Sequence, residues 1–260
     1  MSPVFNSARR NRNIGTARQG KGQHNKASIP HSHRRERHWA EQIGPHQMFR
    51  RVVSRREVVF VVEDNHGGCA HACSVDDICN LLANIPTFDW QGLTIFVLRQ
   101  PTEKQRNFRP AWGRLFYEAD LGSLSGEAIL RGPAIMLEAI DFETKLVWPK
   151  SLDSFDRVEL DRLREDGHQI VRDGRSHVLS VSSESVRTTQ LYRTFFHEIG
   201  HWVDFCEKVK KPTDDGRDFV ERSKAYFSRP IGEREAFAHR YAEDTRARLH
   251  RFGIIPFAPL

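Results

Sequence analysis

The feature that most constrains the fold is a stripe running from Thr188 to about Lys208. In it Leu191, Phe195, Ile199, Trp202 and Cys206 recur at spacings of three and four. That periodicity buries one face of a helix in a core. Set within it is His197-Glu198-Ile199-Gly200-His201, an H-E-x-x-H. Residues i and i+4 stack on one helix face, about 6 Å apart along the axis. Two imidazoles so placed can both reach one Zn²⁺ at about 2.0–2.1 Å. Glu198 then stands beside the metal rather than on it, which suits a general base acting on water. Gly200 occupies a helix-interior position that costs about 1 kcal/mol relative to Ala. Such a cost implies that something approaches the helix closely there.

A catalytic zinc needs a third protein ligand and an open position. No third His follows at the H-E-x-x-H-x-x-G-x-x-H spacing, because the next residues are Trp202, Val203 and Asp204. Glu235, in Glu235-Ala236-Phe237-Ala238, is the best candidate, with Glu233, Asp204 and His239 as substitutes. It opens a final helix over 233–251 whose Ala236, Ala238 and Ala242 permit tight packing on the motif helix. The plain alternative is a first-turn Glu that favours the helix dipole. Asp204 is either a hydrogen-bond acceptor for a ligand His or a surface residue near the helix end.

Leu191 through Asp204 (LYRTFFHEIGHWVD), followed by Glu235-Ala-Phe-Ala, resembles the gluzincin group of zinc metallopeptidases, most closely its lethal-factor-like branch. The resemblance covers about residues 177–250. It implies that His197, His201 and Glu235 bind one Zn²⁺ and that Glu198 is the base. It implies further that Tyr226 corresponds to the Tyr that stabilises the oxyanion, with Tyr241 as competitor. It also implies an α+β, zincin-like fold: a mixed sheet with an edge strand over the helix carrying H-E-x-x-H, where substrate backbone adds as a strand. His177–Ser182 is the expected edge strand, an interior strand being the alternative. The activity implied is hydrolysis of peptide bonds in a protein or peptide substrate.

Upstream, the apolar run 57–63 reads as a buried strand. Residues 74–85 read as a helix capped by Ser74 and stopped by Pro86, and 92–99 as a returning strand. Residues 112–118, 126–131, 133–140 and 177–182 are shorter strand candidates, with helices near 156–165 and 217–229. The expected organisation is a disordered basic tail over 1–50, an α/β part over 51–150 and the zincin-like part over 151–260.

Charge supports the tail. Residues 1–56 hold thirteen Lys and Arg against two acids, Glu36 and Glu41. A segment so charged and so poor in apolar residues cannot offset its chain entropy. It could contact nucleic acid or another acidic partner, with affinity that falls steeply with salt. A nucleic-acid-associated protein is therefore the competing function, and the two readings can coexist. The opening residues lack the apolar core of a Sec signal, and no run approaches the ~18 apolar residues of a membrane span. The expected location is cytoplasmic, or exported by another route. Cys69, Cys73, Cys79 and Cys206 are too sparse for a disulfide scaffold. Cys69 and Cys73 with His66 and His71 form either a second metal site or, the better reading, a loop with buried thiols.

Overall fold

A computed structural model describes residues 37–108, 111–143, 145–149, 151–174, 176–212 and 218–260. It is a mixed α+β structure. A six-stranded sheet is formed by β1 (Gln42–Ile43), β2 (His46–Val53), β3 (Arg56–Glu63), β5 (Ile95–Arg99), β6 (Gly113–Ser123) and β7 (Ala128–Glu138). Their spatial order is β1-β6-β7-β5-β3-β2. The pairs β3/β5, β5/β7 and β1/β6 are parallel, while β2/β3 and β6/β7 are antiparallel. Two-residue strands β4 (Cys69–Ala70) and β8 (Ile140–Asp141) pair with each other. A three-stranded sheet is ordered β10-β11-β9, from β9 (Lys145–Pro149), β10 (Gln169–Asp173) and β11 (Ser176–Ser180).

The expected strand–helix–strand unit is present. The helix α1 (Val75–Asn84) joins the parallel strands β3 and β5. Ser74 caps it by accepting from the Asp77 N–H, and the Asp77 carboxylate returns to the Ser74 N–H, a reciprocal cap. A short helix, α2 (Glu103–Phe108), follows β5. Strand alternation divides the sheet's side chains between two cores. Phe60, Phe96, Leu98, Ile135 and Leu137 face the helices, while Val61, Ile95, Val97, Ala134 and Met136 face the opposite side.

Two expectations are corrected here. The stretches 126–131 and 133–140 are not separate strands. Chain from Ala128 to Glu138 is continuous through Gly132 and Pro133, because the β6/β7 register shifts there. A Pro is tolerated where the ladder is already interrupted. The expected tail over 1–50 lies outside the described residues as far as residue 36 and is wrong beyond it. Ala40 and Ile43 are fully buried on the second face of the sheet, and β2 supplies an edge strand. Glu41 is buried too, accepting from the Asp120 and His38 N–H groups.

The helices of the C-terminal half cover the first face. After α3 (Ser154–Glu165), the chain from Ser183 to Lys210 runs on as α4 (Ser183–Thr189), a π turn at Gln190–Thr194, α5 (Phe195–Phe205) and a second π turn at Cys206–Lys210. Then come α6 (Phe219–Ser228) and α7 (Ile231–Arg251). Leu191, Phe195, Phe196, Ile199 and Trp202 are fully buried against the sheet. The main core thus takes residues from both sides of residue 150, so the two expected parts share one interior. No described helix is long and apolar enough to cross a membrane.

The three-stranded sheet and α3 are tied to these helices through Asp166. Its carboxylate accepts from Thr189 (2.8 Å), Arg193 (2.9 Å) and Arg246 (3.2 Å). Beside it His168 is buried, with Nε2 2.9 Å from the Thr189 hydroxyl and Nδ1 without a partner. Burial lowers its pKa from 6.5 to about 4, against the pull of the Asp166 charge. The unfolded chain therefore binds more protons between those values, and the contribution to stability is lost as pH falls through that window. Denaturation midpoints measured from pH 7 to 4 should fall more for the wild-type chain than for His168→Gln, with the two curves parallel above pH 7.

Candidate metal centre

The sequence places His197 and His201 on one face of α5; tertiary packing brings the third group. Glu235 lies in the first turns of α7, and its carboxylate oxygens stand 3.2 Å from His197 Nε2 and 3.5 Å from His201 Nε2. Ligand atoms around a tetrahedral zinc with bonds of 2.0–2.1 Å are themselves about 3.3 Å apart. The three residues form the one group of His, Cys, Asp or Glu among the described residues whose donor atoms cluster closely enough to hold a metal ion. Two imidazoles and a carboxylate are a donor set that zinc accepts. The residues therefore fit the ion.

Close packing at one glycine makes this possible. A Cβ on Gly200 would lie 2.9 Å from the Ala238 Cα, 3.0 Å from its carbonyl oxygen and 3.1 Å from the Tyr241 Cβ. The close approach expected from Gly200 is that of α7, and Ala238 is the small residue opposite. On the other side, Gly113 of β6 admits Thr194 of the first π turn, where a Cβ would meet its methyl at 2.9 Å.

The charges of the centre support one another. Burial raises the Glu235 carboxyl, but hydrogen bonds from His197 and His201 outweigh it and hold the pKa well below the usual carboxylate range. Burial likewise lowers His201, yet Glu235, with Glu198 behind it, leaves it raised overall. The rings of His197 and His201 meet edge to face at 4.6 Å, and their Nδ1 atoms are buried with no hydrogen-bond partner among the described residues. Ring packing helps to orient them. His239 contributes to that packing, its ring 4.5 Å from that of His197. Burial and the neighbouring His197 push His239 down to about 3, so it is neutral.

Glu198 sits where a base is useful. One carboxylate oxygen accepts from the Leu115 N–H of β6 at 2.7 Å. That strand pairs with β7 on one side, while β1 reaches it only at Gly122 and Ser123. Its outer edge near Leu115 therefore faces the motif helix. The expected edge strand at His177–Ser182 is corrected accordingly. β11 is central in its sheet, paired to β9 and β10, so its backbone is already committed.

Other candidates fall elsewhere. Asp204 is fully buried but accepts from Lys208 and from Arg229 (3.0 Å), not from a ligand His. Glu233 is exposed beside Arg229, and the Tyr241 hydroxyl donates to Asp89 at 2.7 Å. Tyr226 is only 2% exposed, with its hydroxyl 3.4 Å from that of Tyr117 and Asp204 bonded to it as well. Tyr117 of β6, which sequence spacing does not single out, lies beside it. It shares a strand face with Leu115, and the charges of Glu198 and Glu235 act on its hydroxyl. The cysteine loop follows the plainer reading. Cys69 and Cys73 are buried, His71 bonds the Glu63 carbonyl at 2.8 Å, and burial with the nearby Asp77 pushes the Cys73 thiol up to about 12.

No protein-family model, curated protein or solved structure matches this chain. Gly200→Ala should gain about 1 kcal/mol of helix propensity and lose about 1–3 kcal/mol to overpacking, because the opposing atoms are backbone. By displacing α7 it should also weaken zinc binding. Glu235→Ala should weaken it by more than the roughly 100-fold typical of an outer partner. Competition against a chelating dye, with thermal unfolding of the metal-free chain alongside, separates the two effects.

Proposed function

We propose that this chain is a zinc-dependent metalloendopeptidase of the zincin type. The observation that carries this reading is the convergence of Glu235 on the H-E-x-x-H pair while Glu198 remains free of the cluster. His197, His201 and Glu235 would hold the ion. When bound, zinc would polarise the scissile carbonyl and activate water near neutral pH.

The chain's own residues supply the rest. Glu198 takes the proton from the attacking water and returns it to the leaving amine. The Leu115 N–H keeps its carboxylate at the strand edge. An extended peptide adds to the free edge of β6, so that its backbone is fixed beside the base. The adjoining hydroxyls of Tyr117 and Tyr226 would supply the donor to a developing oxyanion.

Zinc-loaded wild-type chain should cleave peptides from a proteome-derived library. Glu198→Gln should bind the same amount of zinc by mass spectrometry and cleave about 10²–10⁴-fold more slowly. Equal cleavage by both, or none by a wild-type chain that holds zinc, would falsify the proposal.

A further inference from the structure

Several buried or half-buried arginines of this fold meet carboxylates: Arg187 meets Asp77, Arg193 meets Glu159 and Asp166, and Arg229 meets Asp204. Arg234 does not. It directly precedes Glu235 on α7, and its Nε is buried with no hydrogen-bond partner. No ion pair joins it to a carboxylate among the described residues. Its guanidinium lies 5.6 Å from the ring centroids of both Tyr226 and Phe227, so aromatic faces hold it in place. Cation–π contact of this kind orients a guanidinium without neutralising it. The Tyr226 hydroxyl in turn lies 3.4 Å from that of Tyr117 on β6, so the guanidinium stands beside the phenol pair and next in sequence to Glu235.

The charge balance is informative. With a divalent ion in place, Glu198 and Glu235 match its two charges, and Arg234 remains over. A partly buried cation without a counterion is costly, and a planar guanidinium grips a carboxylate through two parallel hydrogen bonds. We propose that Arg234 is the specificity residue of this site. It selects peptides that present a carboxylate near the scissile bond, either an Asp or Glu side chain or a free C-terminus. This rests on the metallopeptidase reading above.

The test follows the Arg234 Nε–H signal in nitrogen-15 NMR of the full zinc-loaded chain, assigned by its loss in Arg234→Lys. The probes are acetyl-glutamate amide, acetyl-alanine and acetyl-glutamine amide, which carry a side-chain carboxylate, a terminal carboxylate and neither. A saturable shift with one of the first two, absent with the third, is expected, and the probe that causes it identifies the source. No shift, or equal shifts with all three, overturns the assignment. In parallel, the kcat/KM ratio of acidic to neutral library peptides should fall at least about tenfold in Arg234→Gln and recover in part in Arg234→Lys. An unchanged ratio also overturns it. A carboxylate-specific shift in a chain that cleaves nothing sinks the peptidase reading and leaves Arg234 as an anion site. Cleavage without shift or acidic preference sinks the Arg234 assignment alone.

Discussion

The contact between Gly200 and Ala238 is the constraint on which the rest of the site depends. Only a residue without a side chain lets the backbone of α7 come this near the motif helix, and only then can a Glu side chain span to two imidazoles at once. The intrinsic cost of a helical Gly, about 1 kcal/mol, is offset by the packing it permits. The same helix is pressed from its opposite side by β6, where Gly113 admits Thr194 and the Leu115 N–H meets Glu198. The helix is thus held between a strand edge that meets Glu198 and a second helix that brings Glu235 to the two imidazoles.

Buried polar groups fix the relative positions of these elements. Asp166 gathers donors from α4, the first π turn and α7, while Asp204 ties the motif helix to Arg229 ahead of α7. Breaking a buried pair leaves an uncompensated charge, so such hubs punish small shifts of the helices. The cluster of Glu235 with the two histidines follows the same logic. Glu235 and the histidines stabilise each other, and zinc would replace a proton rather than enter an empty cleft.

Much of the site was legible in the linear order of residues. His197, Glu198 and His201 follow from helical periodicity, since i and i+4 share a face whatever the tertiary context. Ser74 and Pro86 bracket α1 because capping and Pro geometry are local. Glu235 was readable from its alanine-flanked helix. The edge strand was not. β11 and the edge of β6 both look like short apolar strands, and which one keeps a free edge depends on partners far away in the chain. The surroundings of Tyr226 were not legible for a related reason. Asp204 and Tyr117, which bond its hydroxyl, arrive from other elements.

Sequence alone therefore determined the composition of the motif helix: its apolar face, its two imidazoles, the carboxylate between them and the glycine that demands a close neighbour. It could not determine that 37–50 joins the fold, because this stretch continues the basic segment before it and reads as a solvated tail until Ala40 and Ile43 find the open face of the sheet. Tertiary structure decided which carboxylate meets the two imidazoles and which strand edge faces the motif helix. Each of these is a contact between residues distant in sequence. Such contacts depend on how whole helices and strands pack, whereas periodicity reports only the face that one element presents.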